Sequence, residues 1–293
     1  QRCPGSVREE AKYPDKSGPA AADGTHTHTL LEKCVTMYLQ GGVYDPLGYV
    51  GIEMVDHEGS FKPDQDRALR VKVAMDYIIG RHKDHGGELF TERRVNPALL
   101  LGRDDMKGTV DVTLVTDSFI EVIDYKDGMG IVEARGNPQM EIYALGVLAE
   151  MGFLVKPPKV IMTIVQPKLS VKGLPAITSD EQPVDVLWNK IGEIESEAAA
   201  TDAPDAPLVP GDVQCKFCRA KGGCSALANQ AIGSLFKPVE APVAQTLEIA
   251  QQAADSNPVE LSNDKIAEIL EAAPLVRQML GSVEDEALRR MKA

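Results

Sequence analysis

Apolar positions along this chain follow two periods. Over Gly24–Leu39, Leu31, Val35, Tyr38 and Leu39 recur at helical spacing and predict an amphipathic helix. Asp66–His82 repeats the pattern with Leu69, Val73, Tyr77 and Ile78. The period then falls to two. Glu88–Val95 reads as a strand, and Val110–Val115 and Phe119–Lys126 alternate on either side of the polar turn Thr116-Asp117-Ser118, predicting a β-hairpin. Asn137-Pro138 is an N-cap residue followed by a first-turn proline, the start of a helix that runs to Met151. Val160–Val165 is a continuous apolar run, the pattern of a buried strand beside the hairpin. A helix over Val184–Ala199 and a proline-rich linker over Ala203–Pro210 follow. Three more helices are expected over 246–254, 263–272 and 275–292. The sum is an α/β domain with a helical C-terminal extension.

The predicted hairpin carries polar residues that packing does not ask for. Asp111 lies in its first strand and Asp124 and Lys126 in its second, where alternation puts Asp124 and Lys126 on one face. Two carboxylates and an ammonium converging beside a sheet make a divalent-metal site with a cation placed to assist it. On the following helix, Gln139 and Tyr143 stand four apart and share a face. On the first helix His28 and Glu32 stand one turn apart, so both can reach one site. His26 points elsewhere and reads as a solvated or hydrogen-bonded side chain, and Cys34 as a small buried apolar residue. Glu92 has two readings, a further acidic contributor to the site or an exposed strand carboxylate, and the second is favoured. Arg93 and Arg94 are open to two readings, phosphate contact or solvation.

Five cysteines, an odd count, fit poorly with a secreted disulfide framework and point to a reducing cytoplasm. Cys215, Cys218 and Cys224 (C-x2-C-x5-C) can bind one centre from a single loop, and Cys3 is the unassigned candidate for a fourth ligand. Spacing alone admits a structural zinc or an iron–sulfur cluster.

At 293 residues, with 43% hydrophobic and 26% charged residues, the composition is that of a globular protein. No apolar run approaches a membrane span, so no membrane is expected. A net charge of −13 argues against a general nucleic-acid coat. A locally basic groove is still compatible with it, because many carboxylates lie beyond Thr178. Arg93, Arg94, Arg103, Lys107, Lys126 and Arg135 gather around the predicted core.

The ordered set Gly24-x3-His28-x3-Glu32, Gly108-Thr-Val-Asp111, Asp124-Tyr-Lys126 and Gln139-x3-Tyr143 resembles the RecB-like branch of the PD-(D/E)XK nucleases. The resemblance implies a restriction-endonuclease-like core, a central mixed sheet flanked by helices. It implies Mg²⁺ or Mn²⁺ held by His28, Asp111, Asp124 and the Tyr125 carbonyl, with Lys126, Gln139 and Tyr143 as further catalytic residues. The cysteine layout is similar to the iron–sulfur subset, which includes AddB-type helicase-nucleases and CRISPR-associated exonucleases. That implies a [4Fe-4S] cluster on Cys3, Cys215, Cys218 and Cys224, stapling the ends of a nuclease domain over 1–235, with an acidic helical extension over 236–293. Cys-Pro-Gly-Ser and Asn-Pro-Gln also resemble a phage- and prophage-borne family of presumed exonucleases. The partners implied are DNA, through linear ends of one or two strands, and a recombination or single-strand-binding protein. Two rivals stand beside this expectation: a non-catalytic DNA-binding partner on the same fold, and a zinc-stabilised enzyme acting on a small phosphoester.

Overall fold

The computed structural model of the chain describes residues 2–14, 18–151, 156–235 and 263–292. In chain order the described helices are α1 (Ser6–Glu10), α2 (Pro19–Leu39), α3 (Gln65–His85), α4 (Ala98–Leu101), α5 (Pro138–Met151), α6 (Val184–Asn189), α7 (Ile191–Asp202), α8 (Asp212–Cys215), α9 (Ser225–Leu235) and α10 (Asn263–Met291). The strands are β1 (Met54–Asp56), β2 (Gly59–Phe61), β3 (Glu88–Val95), β4 (Gly108–Val115), β5 (Ile120–Tyr125), β6 (Lys159–Val165) and β7 (Ile177–Pro183). They fall into two compact units, residues 16–195 and residues 1–15 with 196–293.

The larger unit is α/β, with a mixed five-stranded sheet in the order β3-β4-β5-β6-β7. All neighbours are antiparallel except β5 and β6, which run parallel and are joined through α5. Local chemistry sets the element ends. Asp64 caps α3 by accepting the Arg67 N–H at 2.7 Å, and Asn137 caps α5 by accepting the Gln139 N–H at 3.1 Å. In the β4–β5 turn, Thr116 Oγ1 accepts the Phe119 N–H at 2.9 Å.

Two apolar layers sandwich the sheet. Leu30 and Val35 of α2 and Val71, Met75 and Ile78 of α3 pack with Val112, Leu114, Ile123 and Tyr125. Ala144, Leu145, Val147 and Leu148 of α5 pack with Val110, Ile120, Val122, Met162 and Ile164. Burying such side chains is worth about 1.5–3 kcal/mol each. In the first layer Glu121 is fully buried, and its charge is compensated by Tyr77 Oη at 2.6 Å, Arg81 Nε at 2.7 Å and Thr163 Oγ1 at 2.7 Å. In the second, α5 approaches the sheet through Gly146, where an added Cβ would lie 2.7 Å from Val95 Cβ. Gly146→Ala is therefore expected to cost about 1–3 kcal/mol, read as a lower urea midpoint at unchanged slope.

The predicted hairpin, the flanking strand and the helix from Pro138 are found as expected. Pattern alone missed β7, an edge strand whose Thr-Ser-Asp-Glu-Gln run presents polar residues to solvent, and the short β1–β2 hairpin. The helix expected over 184–199 is broken at Lys190 into α6 and α7. The two helices expected over 263–272 and 275–292 are one, because α10 continues through Pro274. The helix expected over 246–254, and the start of the extension at residue 236, lie outside the described residues.

In the smaller unit, the N-terminal segment lies along residues 204–209. Gly5 N donates to Pro207 O at 2.9 Å, and Arg8 reaches the carbonyls of Pro204 and Ala206. A Cβ on Gly5 would meet Ala206 O at 2.5 Å, so only glycine permits this approach.

Candidate metal centre

Register places three carboxylates in a row across the sheet. Thr91 pairs with Val112 and Arg93 with Val110, so Glu92 of β3 faces Asp111 of β4. Val112 pairs with Ile123, so the next position brings Asp111 opposite Asp124 of β5. Neither acidic pair joins the ladder. Like charges directly opposite one another on neighbouring strands destabilise a sheet, and the backbone here is bent as well. Glu92 has φ 47°, the positive-φ non-glycine residue among those described. Such conformations cost of order 1–3 kcal/mol and gather at functional sites. The bend brings its carboxylate to the cluster.

From α2, His28 Nδ1 reaches Asp111 Oδ1 at 3.1 Å. Ligand atoms of His28, Glu92 and Asp111 all lie within 4.8 Å of one another. The other Asp111 oxygen accepts the Tyr125 amide N–H at 2.6 Å. Asp124 is about 95% buried, its side chain only 5% exposed. Its Oδ2 lies 2.8 Å from Lys126 Nζ as an ion pair but accepts no aligned hydrogen bond. Lys126 Nζ also donates to Gln139 Oε1 at 3.2 Å, and Gln139 Nε2 to Tyr143 Oη at 2.9 Å. Tyr143 in turn closes over Gly108, where a Cβ would sit 2.5 Å from the ring.

The electrostatics are those of a site short of positive charge. Burial, then the charges of Asp111 and Glu32, push the Glu92 carboxyl up to about 7, with His28 opposing. Burial and the Asp111 charge push Asp124 up to about 6 against the pull of Lys126 and His28. Burial disfavours the His28 imidazolium, but the hydrogen bond to Asp111 and the carboxylates of Asp111, Asp124 and Glu92 outweigh it and raise its pKa. Hard oxygen donors with one imidazole suit Mg²⁺ or Mn²⁺. A buried row of acids with one imidazole, in which Asp124 Oδ2 has only the Lys126 ion pair and no aligned hydrogen bond, is what such a cation would neutralise, so the residues fit the group.

His28 and Asp111 are thus brought together with Glu92, while Asp124 faces Asp111 across the sheet outside that set of ligand atoms, ion-paired with Lys126, which links on to Gln139 and Tyr143. Tyr125 enters through its amide and its ring, which meets the His28 ring edge-on at 5.6 Å. The reading of Glu92 as an exposed strand carboxylate is corrected: its bent backbone makes it part of the centre. Glu32 is exposed and acts on Glu92 only through its charge. His26 belongs to the scaffold, bonded to Asp56 at 2.7 Å and stacked on Phe61. Of the basic residues gathered near the core, Arg93 is paired with Glu150 at 3.0 Å and Arg103 with Asp105 at 2.5 Å, which reduces the free positive charge.

Cys3, Cys215, Cys218 and Cys224 lie in the smaller unit, and Cys34 is buried in the core of the larger one. Cys3 Sγ accepts the Val209 N–H at 3.3 Å, Cys215 Sγ the Gly211 N–H at 3.3 Å and Cys224 Sγ the Leu227 N–H at 3.5 Å. Burial raises the Cys215 thiol, the Gly211 N–H opposes it, and the charges of Cys224 and Cys3 raise it further. Burial pushes Cys218 up to about 11, helped by Glu10 and Cys215 and opposed by the Ala220 N–H. All five cysteines are free thiols. Among the described residues the sulfurs do not form a set of three within 4.8 Å of one another. No described helix is long and apolar enough to cross a membrane.

A protein-family model described as "Protein of unknown function (DUF2800)" matches residues 1–293. A solved structure titled "Crystal structure of SSO0001" is similar over 55% of this chain and 71% of that chain, at 18% identity and a TM-score of 0.29. A likeness at that level decides neither fold nor function.

Proposed function

We propose that this chain, which belongs to the DUF2800 family, is a divalent-metal-dependent deoxyribonuclease on a PD-(D/E)XK core, acting as an exonuclease. The observation that carries the reading is the Glu92–Asp111–Asp124 row, closed by His28 and flanked by Lys126. His28, Glu92, Asp111 and Asp124 would hold Mg²⁺ or Mn²⁺, with the Tyr125 carbonyl as a further ligand. A bound ion of this kind polarises a phosphoryl oxygen and lowers the pKa of water. Lys126 orients the attacking water and stabilises the developing negative charge. Gln139 links Lys126 to Tyr143, so the pair sets the direction of the ammonium and positions the scissile phosphate. The setting we propose is phage-encoded DNA recombination or replication in a bacterial cytoplasm, with a single-strand-binding or recombination protein as partner.

Four thiols in one unit, of which Cys3, Cys215 and Cys224 each accept a backbone N–H, support a [4Fe-4S] cluster on Cys3, Cys215, Cys218 and Cys224, with a structural role. Cys3→Ser is then expected to lose most of the iron and visible absorbance of aerobically intact protein. Wild-type protein that purifies with stoichiometric zinc and no iron would sink the cluster.

The deciding experiment incubates the protein with linear and circular DNA, single and double stranded, with Mg²⁺, Mn²⁺ or EDTA. Metal-dependent shortening of linear DNA is expected. Binding without cleavage under every metal would favour the non-catalytic DNA partner instead.

A further inference from the structure

One buried carboxylate near the centre has no place in the chemistry above. Asp127 follows Lys126, and its side chain is only 3% exposed. Arg70 of α3 grips it as a fork, Nε to Oδ1 at 2.9 Å and Nη2 to Oδ2 at 3.1 Å, a geometry that fixes direction as well as charge. Lys168 Nζ lies 3.1 Å from Oδ2. Tyr125 Oη donates to Oδ1 at 3.1 Å. Thr27, fully buried, places its hydroxyl 3.2 Å from Oδ2.

Two of these contacts lead to the metal centre. Thr27 is the neighbour of His28 on α2. The Tyr125 ring is pinned at its hydroxyl by Asp127 and meets the His28 imidazole edge-on, while the Tyr125 amide holds Asp111. One carboxylate thus ties the helix that supplies the imidazole to the strand end that supplies Asp124 and Lys126.

We propose that Asp127 is a positioning residue, which through Tyr125, Thr27 and Arg70 sets His28 against Asp111 in the geometry that takes a divalent cation. The proposal rests on the metal-site reading of the preceding section. Groups one step removed from a metal typically carry 10–100-fold of its affinity.

The test measures Mn²⁺ binding by titration calorimetry on the full chain, at a temperature where every variant is folded. Asp127→Asn should weaken Mn²⁺ by about 10-fold or more, and Tyr125→Phe, which deletes a single hydroxyl, by about 3-fold. Glu121→Gln is the control: Glu121 is an equally buried carboxylate on β5 with its own arginine, yet it touches nothing that leads to His28. It should lower the melting temperature but leave Mn²⁺ affinity within about twofold. Wild-type affinity in Asp127→Asn overturns the proposal, and so does an equal loss in Glu121→Gln, which would mean general destabilisation. If Asp127→Asn does not fold, Tyr125→Phe decides, and unchanged affinity there overturns it. Failure of the metal reading looks different: wild-type protein would bind no Mn²⁺, or Asp111→Asn would bind it as well as wild type.

Discussion

Asp111→Asn is expected to reduce metal-dependent DNA hydrolysis to background, at or beyond the roughly 10³-fold that loss of one preorganised electrostatic group costs. The folded state should survive. Asp111 contributes both oxygens to the site, one facing His28 and one held by the Tyr125 amide. An asparagine keeps the shape and can still accept that amide through its carbonyl. What it loses is the negative charge at the middle of the three-carboxylate row. Circular dichroism should therefore match wild type in the absence of metal, and the metal-free thermal transition should not fall, since repulsion of Glu92 and Asp124 is relieved, while Mn²⁺ titration and nuclease assays show the loss. Cleavage within tenfold of wild type would remove Asp111 from the chemistry and with it the nuclease reading.

A second large effect concerns pH and metal together. Glu92 and Asp124 both have folded-state pKa values above their ordinary values, about 7 and about 6. The folded protein therefore holds protons between about pH 4 and pH 7 that the unfolded chain has released. Stability falls with rising pH wherever the native state binds more protons. Metal-free protein should thus be most stable near pH 5 and carry the whole electrostatic cost by pH 8. A divalent ion replaces the missing positive charge only once the carboxylates are ionised. At pH 8, Mn²⁺ at about 100 times its Kd should add about 2.7 kcal/mol, raising the melting temperature by about 5–10 °C at the 2–4 °C per kcal/mol typical of a domain this size. At pH 5 the same addition should do little. Glu92→Gln should flatten the metal-free decline between these pH values and shrink the Mn²⁺ response at pH 8. An Mn²⁺ response of equal size at pH 5 and pH 8, or a Glu92→Gln variant with an unaltered profile, would show that these carboxylates do not form the site.

Asp127 and Glu121 show why burial alone does not mark function. Both are carboxylates at or near β5, both buried, both held by an arginine. Their hydrogen-bond partners separate them: those of Glu121 close within the α3–β5–β6 packing, whereas those of Asp127 reach α2 beside His28. Where a chain of contacts leads decides whether a mutation is read as lost stability or lost metal.

Periodicity alone determined the larger part of the α/β unit, because core helices and strands write their spacing directly into neighbouring residues. The hairpin with its two aspartates and the Asn137 cap were legible in that way, whereas His28, Lys126, Gln139 and Tyr143 stood out through the resemblance of their ordered motifs to the RecB-like nucleases. The polar edge strand β7 was not, since a strand half in water has no apolar run to betray it. Glu92 was not either. In sequence it is one more acid in a charged strand, and its role depends on cross-strand register with Asp111 and on a positive φ that residue identity does not announce. Asp127 is likewise mute until α2, α3 and the end of β5 are packed together. The sequence by itself thus determined which residues alternate, cap and share a face, since those relations are local. Only the tertiary structure decided which acids meet and which cations answer them, because pairs far apart in the chain acquire distances only when the sheet and its helices close.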